Sequence, residues 1–244
     1  MRFETVGRSC GLVCTPCLLE AVYLLHLDTG SPLPRQRLRD MLQKTMQDSE
    51  QAQTADDLVK NLIHIRAQSL PHLLAVLLHP PPGFPPEDCN LLVIDSASGL
   101  FPSYFPNPTE LRARLGQSKP VDKNQVQWLM NRSSNVTSDL ANQLVKLATT
   151  NQMAVLALNQ TRTRIKGQPR ATLCPVLAGG SWESSINTRL VLYRDFADHS
   201  SESVRFAEVM KKSGKILTLR LEENIIPFVI DTVSTVNLKY NSPG

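Results

Sequence analysis

The sequence predicts an α/β protein with a mostly parallel, twisted sheet, flanking helices and antiparallel strands towards the C-terminus. Two short aliphatic runs, at residues 91–94 and 153–158, are separated by a helical pattern. Runs of this length bounded by turn or polar residues are typical of strands buried on both faces. The order strand, helix, strand favours parallel pairing. At 244 residues and 41% hydrophobic content, the chain is long enough for one such domain.

The first run ends in Asp95 and Ser96. Ligands bind outside the carboxyl ends of strands in open α/β sheets. P-loop NTPases place an aspartate there, which helps to hold Mg²⁺ beside the nucleotide phosphates. Four aliphatic residues and an aspartate also fit a core strand followed by a helix cap, so the run alone does not decide between the two readings.

A helix is predicted over residues 138–150, with Ser138 as its N-cap. Leu140, Leu144 and Leu147 fall on one face of that helix. The second strand follows it and ends in Asn159 and Gln160.

A basic tract follows the second strand. Residues 161–170 contain four cations and no acid. Such a cluster predicts contacts to nucleic-acid phosphates that are largely independent of sequence, and a solvated turn beside Gly167 and Pro169 is the alternative. The four candidate DNA-binding residues are Arg162, Arg164, Lys166 and Arg170.

In this order the segments resemble the RecA-like recombinases, the ATPases that exchange DNA strands. Residues 91–96 resemble the Walker-B strand, and Asn159-Gln160 resembles the element that senses the outer phosphate. Residues 162–178 are similar in place to the second DNA-binding loop, and Gly179-Gly180 to its far hinge. The strand predicted at 187–192 then matches the next strand of the family.

The resemblance covers nearly the whole chain. Residues 23–38 look like the strand and turn after the P-loop helix, and Tyr104 and Phe105 correspond in place to the first DNA loop. The predicted organisation is a partial RecA-like P-loop NTPase core at 21–244 after an unassigned segment at 1–20. The Trp182 segment and a proline-rich insertion before the Walker-B strand look more like those of a fungal-type accessory paralogue.

The resemblance implies roles for the site residues and for the protein. Asp95 would bind Mg²⁺, and Ser96 and Gln160 would contact ATP, if a nucleotide binds. The protein would be a nuclear recombinase paralogue in homologous-recombination DNA repair, which assists the strand-exchange filament on single-stranded DNA. Such paralogues normally pair with another recombinase paralogue. The alternative is a pseudo-ATPase scaffold that binds its partner paralogue without DNA or ATP.

Two family features are missing. No G-x-x-x-x-G-K-[ST] motif occurs, since the first lysine, Lys44, precedes Thr45 without a nearby glycine. Gly30 stands where the family has the glutamate that activates water. Hydrolysis of ATP by this chain alone is therefore not expected. Either the chain is N-terminally truncated and lacks a central strand, or it is a degenerate paralogue that kept the scaffold.

Other features narrow the classes of function. The longest apolar runs, such as residues 73–78, are too short to span a membrane. The five cysteines are expected as free thiols, although Cys10, Cys14 and Cys17 have a C-x3-C-x2-C spacing that some iron–sulfur enzymes share. The five histidines lack metal-ligand spacing and are expected at the surface or at strand ends.

Overall fold

The computed structural model of the chain describes residues 2–6, 23–30, 32–47, 54–105, 123–164, 172–196, 203–217, 222–230 and 235–237. Three of the sequence predictions lie outside these residues: the cysteine cluster at residues 10–17 and the two cations Lys166 and Arg170.

The described residues form twelve strands and six α-helices. The strands are β1 (Arg2–Val6), β2 (Tyr23–Asp28), β3 (Leu62–Arg66), β4 (Cys89–Asp95), β5 (Ala154–Asn159), β6 (Thr161–Arg164), β7 (Thr172–Pro175), β8 (Ile186–Phe196), β9 (Ser203–Lys212), β10 (Lys215–Ile216), β11 (Ile225–Ile230) and β12 (Thr235–Asn237). The helices are α1 (Arg35–Gln47), α2 (Ala55–Lys60), α3 (Leu70–Leu78), α4 (Phe101–Tyr104), α5 (Lys123–Thr150) and α6 (Gly180–Ser185).

One large sheet contains ten of these strands, in the order β12-β11-β9-β8-β1-β5-β4-β2-β3, with β10 paired to β9. Strands β3, β2, β4 and β5 are parallel. The remaining pairings of this sheet are antiparallel. The α/β class and the antiparallel C-terminal strands are confirmed, but among the described residues the sheet is mixed rather than mostly parallel.

Strand β1 joins the two halves of the sheet. It lies antiparallel to β5 on one side and to β8 on the other. No element was predicted from the sequence within residues 1–20. In the structure, residues 2–6 form a strand that makes the described sheet continuous from β3 to β12.

Helix α5 packs against α3, α6, β1 and β5. Its residues Leu140, Leu144 and Leu147 are 5% exposed or less, because a spacing of three or four places them on one helical face. They belong to the same buried cluster as Leu92 and Val155 of the sheet. Burial of each such side chain stabilises the fold by about 2 kcal/mol.

The predicted start of this helix was wrong. Helix α5 begins at Lys123, so Ser138 lies inside it and is not an N-cap. Residues 124–137 are rich in Asn, Gln and Ser, several of which have modest helix propensity, and this composition hid the first half of the helix. Thr137 bonds within the helix, since its Oγ1 donates to the Ser133 carbonyl at 2.8 Å.

No helix among the described residues is both long and apolar enough to cross a membrane.

Candidate functional site

The candidate site lies where β2, β4 and β5 end. Because these strands are parallel and adjacent, their carboxyl ends meet at one edge of the sheet. Asp28 of β2 pairs in register with Asp95 of β4. Asn159 ends the neighbouring strand β5. The structure therefore brings together the strand ends that the sequence analysis singled out.

A threonine fixes the residues around Asp95. The Oγ1 of Thr29 donates to the Ser96 carbonyl and accepts from the Ser96 N–H, both at 2.9 Å. The Thr29 N–H donates to the Asp95 carbonyl at 2.8 Å. The peptide bond between Asp95 and Ser96 is cis. The three hydrogen bonds of Thr29 hold the ends of β2 and β4 together and set the position of the Asp95 backbone.

Three polar side chains converge beside Gly99. A Cβ added to this glycine would lie 2.7 Å from Ser96 Oγ, 3.4 Å from Thr29 Oγ1 and 3.8 Å from Gln160 Nε2. A side chain at position 99 would therefore require Ser96 Oγ to move, whereas Thr29 Oγ1 and Gln160 Nε2 would be at ordinary contact distance. The lack of a side chain lets Ser96 and Gln160, both predicted to contact nucleotide, approach one point.

Hydrogen bonds connect the end of β5 to the loop after β4. The Gln160 N–H donates to Ser98 Oγ at 2.7 Å, and the Ala97 N–H donates to the Leu158 carbonyl at 2.9 Å. The side chain of Gln160 is exposed, whereas Asn159 is fully buried. Gln160 is thus placed for contact with a ligand, and Asn159 for a structural role.

Part of the basic tract forms a β-hairpin. Strands β6 and β7 pair antiparallel, with Arg162 opposite Cys174 and Arg164 opposite Thr172. Arg162 is exposed. The Val176 N–H donates to the Gln160 carbonyl at 2.9 Å, which closes the base of the hairpin directly beside the candidate site. Arg162 and the candidate nucleotide residues therefore emerge from the same sheet edge.

A pair of histidines beside this edge was not predicted from the sequence. The rings of His26 and His64 stack with their centroids 5.4 Å apart. Asp28 is 1% exposed, and its Oδ2 lies 3.8 Å from both His64 Nε2 and Arg66 Nε. The expected surface or strand-end position was wrong for His26, which is 8% exposed within β2. The alternation of His26 with Asp28 and of His64 with Arg66 is visible in the sequence, but only the pairing of β2 with β3 brings them together.

Burial and neighbouring charges perturb the pKa values of two groups in this region. Desolvation and the adjacent His64 lower the pKa of His26, against the opposing effect of Asp95 and Asp28. Desolvation raises the pKa of Asp95, although His26 opposes this shift and Asp28 adds to it. The carboxyl of Asp95 is therefore less acidic than an isolated aspartate, even though part of its side chain reaches solvent.

The expected magnesium–nucleotide site has some of its residues at this sheet edge and lacks others. Asp95 supplies one carboxylate at the strand edge, and Mg²⁺ is commonly held by one or two carboxylates together with substrate phosphates. Asp28 is less suited, because its Oδ1 already accepts from the Gly30 N–H at 2.8 Å. No group of three metal-binding side chains occurs in the part of the chain that the structure describes. The sequence has no P-loop to hold the phosphates.

No protein-family model matches the chain, and no curated protein matches it with significance. The geometry of this sheet edge and of the hairpin beside it is therefore the basis for a functional assignment.

Proposed function

We propose that this protein is a nuclear accessory paralogue of the RecA-like recombinases, which binds single-stranded DNA and assists the strand-exchange filament during homologous recombination. One observation carries the proposal: the basic hairpin is built directly onto the strand edge that holds Asp95, Ser96 and Gln160. The Gln160 backbone connects the strand edge to the hairpin. Its N–H donates to Ser98 Oγ after β4, and its carbonyl accepts from the Val176 N–H at the base of the hairpin.

A RecA-like core is consistent with the parallel part of the sheet. An acid ends one parallel strand, Asn-Gln follows the next, and a basic segment comes after it. This is the order of elements that the resemblance implies. The pairing partner would be another recombinase paralogue.

ATP is not required for the proposed DNA contact. Asp95 is exposed and could bind Mg²⁺, and Gln160 is exposed and could contact phosphate oxygens, whereas Ser96 is 5% exposed. The sequence has no glycine-rich phosphate cradle. Gly30 is also in the place of the expected catalytic carboxylate. We expect DNA binding without ATP hydrolysis by this chain alone.

The test is fluorescence anisotropy of labelled single-stranded oligonucleotides across a salt series, with and without Mg-ATP. We expect binding that weakens with salt and does not depend on ATP. Replacement of Arg162, Arg164 and Lys166 by Ala should weaken binding and reduce the magnitude of the salt slope by about 2, since each lost phosphate contact removes about 0.7 for a single strand.

A matched control variant also loses three positive charges, at positions away from the hairpin. Lys146, Lys212 and Lys215 are exposed on α5 and on the β9–β10 hairpin. Their replacement by Ala should leave the salt slope close to that of the wild type. Equal losses in both triple variants would show that only the net charge matters, and the hairpin would not be the contact.

The pseudo-ATPase scaffold is the second candidate function. Exposed aromatic residues beside an apolar groove favour it, since Trp128 and Tyr104 are 56% and 44% exposed. Well-folded protein that binds no single-stranded DNA in the anisotropy experiment would support the scaffold over the DNA-binding paralogue.

A further inference from the structure

We propose that the groove between α3 and α5 is a docking site for a protein segment that carries apolar side chains and one carboxylate. The groove has a volume of about 400 Å³, and its apolar lining includes Leu74 of α3 and Leu129 and Val136 of α5. Phe105, which follows α4, also lines it. This inference goes beyond the proposed function, because it requires neither DNA nor nucleotide.

The groove exists because α5 extends past the core. Its second half buries Leu140 and Leu144 completely. The same face continues towards the N-terminus, in steps of three or four residues, through Val136, Ser133 and Leu129. Arg132 and Trp128 lie beside this face and border the groove. At 28 residues the helix is about 42 Å long. Over its first half, within the described residues, the apolar face is only partly covered, and Trp128 is 56% exposed.

The residue types around the groove match those of protein interfaces. The centre of an interface is depleted of charge and enriched in aromatic residues and arginine, and its strongest contributors are Trp, Tyr and Arg. This groove is lined by Trp128, Tyr104 and Arg132 together with aliphatic residues. An amphipathic segment with apolar residues three or four positions apart would fill such a groove between helices.

Charge complementarity defines the rest of the partner. Among the described residues that line the groove, Arg132 alone is charged, and none of them is a carboxylate. Its guanidinium lies 5.3 Å from the centre of the Trp128 ring, so the cation is held at the rim. Helices α3 and α4 contain no Asp, Glu, Lys or Arg. A carboxylate on the partner would meet Arg132 without a competing acid in the lining.

A protein segment fits this groove better than single-stranded nucleic acid. Surfaces that bind single strands combine stacking aromatics with a positively charged track for the backbone. The described lining of this groove has one cation, Arg132, and is otherwise aliphatic and aromatic. The groove therefore lacks the electrostatic track that would hold several phosphates.

The test selects random dodecapeptides on immobilised wild-type protein and counter-selects them on the Trp128→Ala variant. We expect enriched peptides to share two apolar residues three or four positions apart and an Asp or Glu. Their affinity for Trp128→Ala should fall at least about tenfold, the effect of truncating a residue that dominates an interface. Arg132→Gln should weaken the binding of the same peptides. It should not weaken the binding of peptides in which the Asp or Glu is replaced by Asn or Gln.

Met130→Ala is the matched control. Met130 is 51% exposed on the same helix, but two residues from Trp128 it faces another direction. This variant should bind the selected peptides like the wild type. In Trp128→Ala the remaining tryptophan is Trp182, which is 1% exposed, so its fluorescence reports whether that variant is folded. Circular dichroism reports the same for Arg132→Gln and Met130→Ala.

Two outcomes would overturn the inference. One is a selection that yields no peptide dependent on Trp128. The other is quenching of Trp128 fluorescence by oligothymidylate that Trp128→Ala abolishes, which would identify a nucleic-acid surface. We expect Trp128→Ala to keep the anisotropy response to DNA. Absence of DNA binding by the wild type would contradict only the proposed function.

Discussion

At the scale of single residues, the stacked pair of His26 and His64 is the least expected feature of the sheet edge. Three polar atoms of this region are buried and have no hydrogen-bond partner among the described residues: His26 Nδ1, His64 Nε2 and Asp28 Oδ2. Unpaired buried polar groups cost stability, so this region is more sensitive to protonation than the aliphatic core around it.

The sign of that sensitivity follows from the lowered pKa of His26. Below about pH 6.5 the unfolded chain binds a proton at His26 more readily than the folded chain does. The contribution of neutral His26 to stability is therefore present above that pH and is lost as the pH falls. His64 repels the protonated ring, whereas Asp28 and Asp95 attract it.

We predict that His26→Gln loses less thermal stability than the wild type between about pH 7.5 and 5.5, because glutamine takes up no proton in this range. Thermal unfolding followed by circular dichroism at several pH values measures this. His72→Gln is the control, because His72 is exposed on α3 and should keep the wild-type slope. A His26→Gln variant with that same slope would contradict the prediction.

Some residue-scale predictions could be made from the sequence and others could not. The sequence predicts a buried core position for Trp182, and it predicts a helix cap at Thr54 from Asp57, Leu58 and Leu62 after it. Trp182 is 1% exposed, and the Thr54 side chain accepts from the Asp57 N–H, so both predictions are confirmed. The histidine cluster depends on which strand lies beside β2. Neighbouring strands are chosen by tertiary packing, which one sequence does not display.

At the scale of elements, the β6–β7 hairpin is anchored by one buried side chain. Asn159 Nδ2 donates to the Leu177 carbonyl at 2.9 Å, and its Oδ1 accepts from the Leu177 N–H at 3.1 Å. The amide thus satisfies both backbone groups of a buried residue. This clamp fixes where the hairpin leaves the sheet, so it also positions Arg162.

Replacement of Asn159 by Ala should lower the free energy of unfolding by about 2–4 kcal/mol, because it leaves the Leu177 N–H and carbonyl buried and unpaired. Urea denaturation measures the loss. Gln160→Ala is the neighbouring control, and since Gln160 is exposed its effect should stay within about 0.5 kcal/mol. Similar losses in the two variants would show that the clamp contributes little.

The sequence predicted elements best where apolar residues were dense. Strands β4, β5 and β8 and the second half of α5 have continuous or regularly spaced aliphatic residues and are confirmed. Lys211, Lys212 and Lys215 around Gly214 predict a hairpin turn in the sequence. This turn joins β9 to β10 in the structure, with Gly214 at a φ of 76°. The first half of α5 is rich in Asn, Gln and Ser and has few regularly spaced aliphatic residues, so its composition did not predict a helix.

At the scale of the whole molecule, the parallel and antiparallel halves of the sheet are joined by a strand from the other end of the chain. Strand β1 pairs with β5, which comes about 150 residues later, and with β8. Its five residues have no aliphatic run, and only contacts distant in sequence define it. Because β1 has no local signal, no strand was predicted at residues 2–6. The βαβ pattern of β4, α5 and β5 is local in sequence and could be predicted.

The position of β1 leads to a prediction about proline. Because β1 has neighbours on both sides, Thr5→Pro removes a backbone donor from the middle of the sheet and should cost about 3 kcal/mol or more, measured by urea denaturation. Thr5→Val keeps the backbone N–H and should remain near the wild type. Thr235→Pro, at the start of edge strand β12, should cost less than about 1 kcal/mol. If the two proline variants were equally stable, β1 would not be a central strand, and the sheet would divide between β5 and β8.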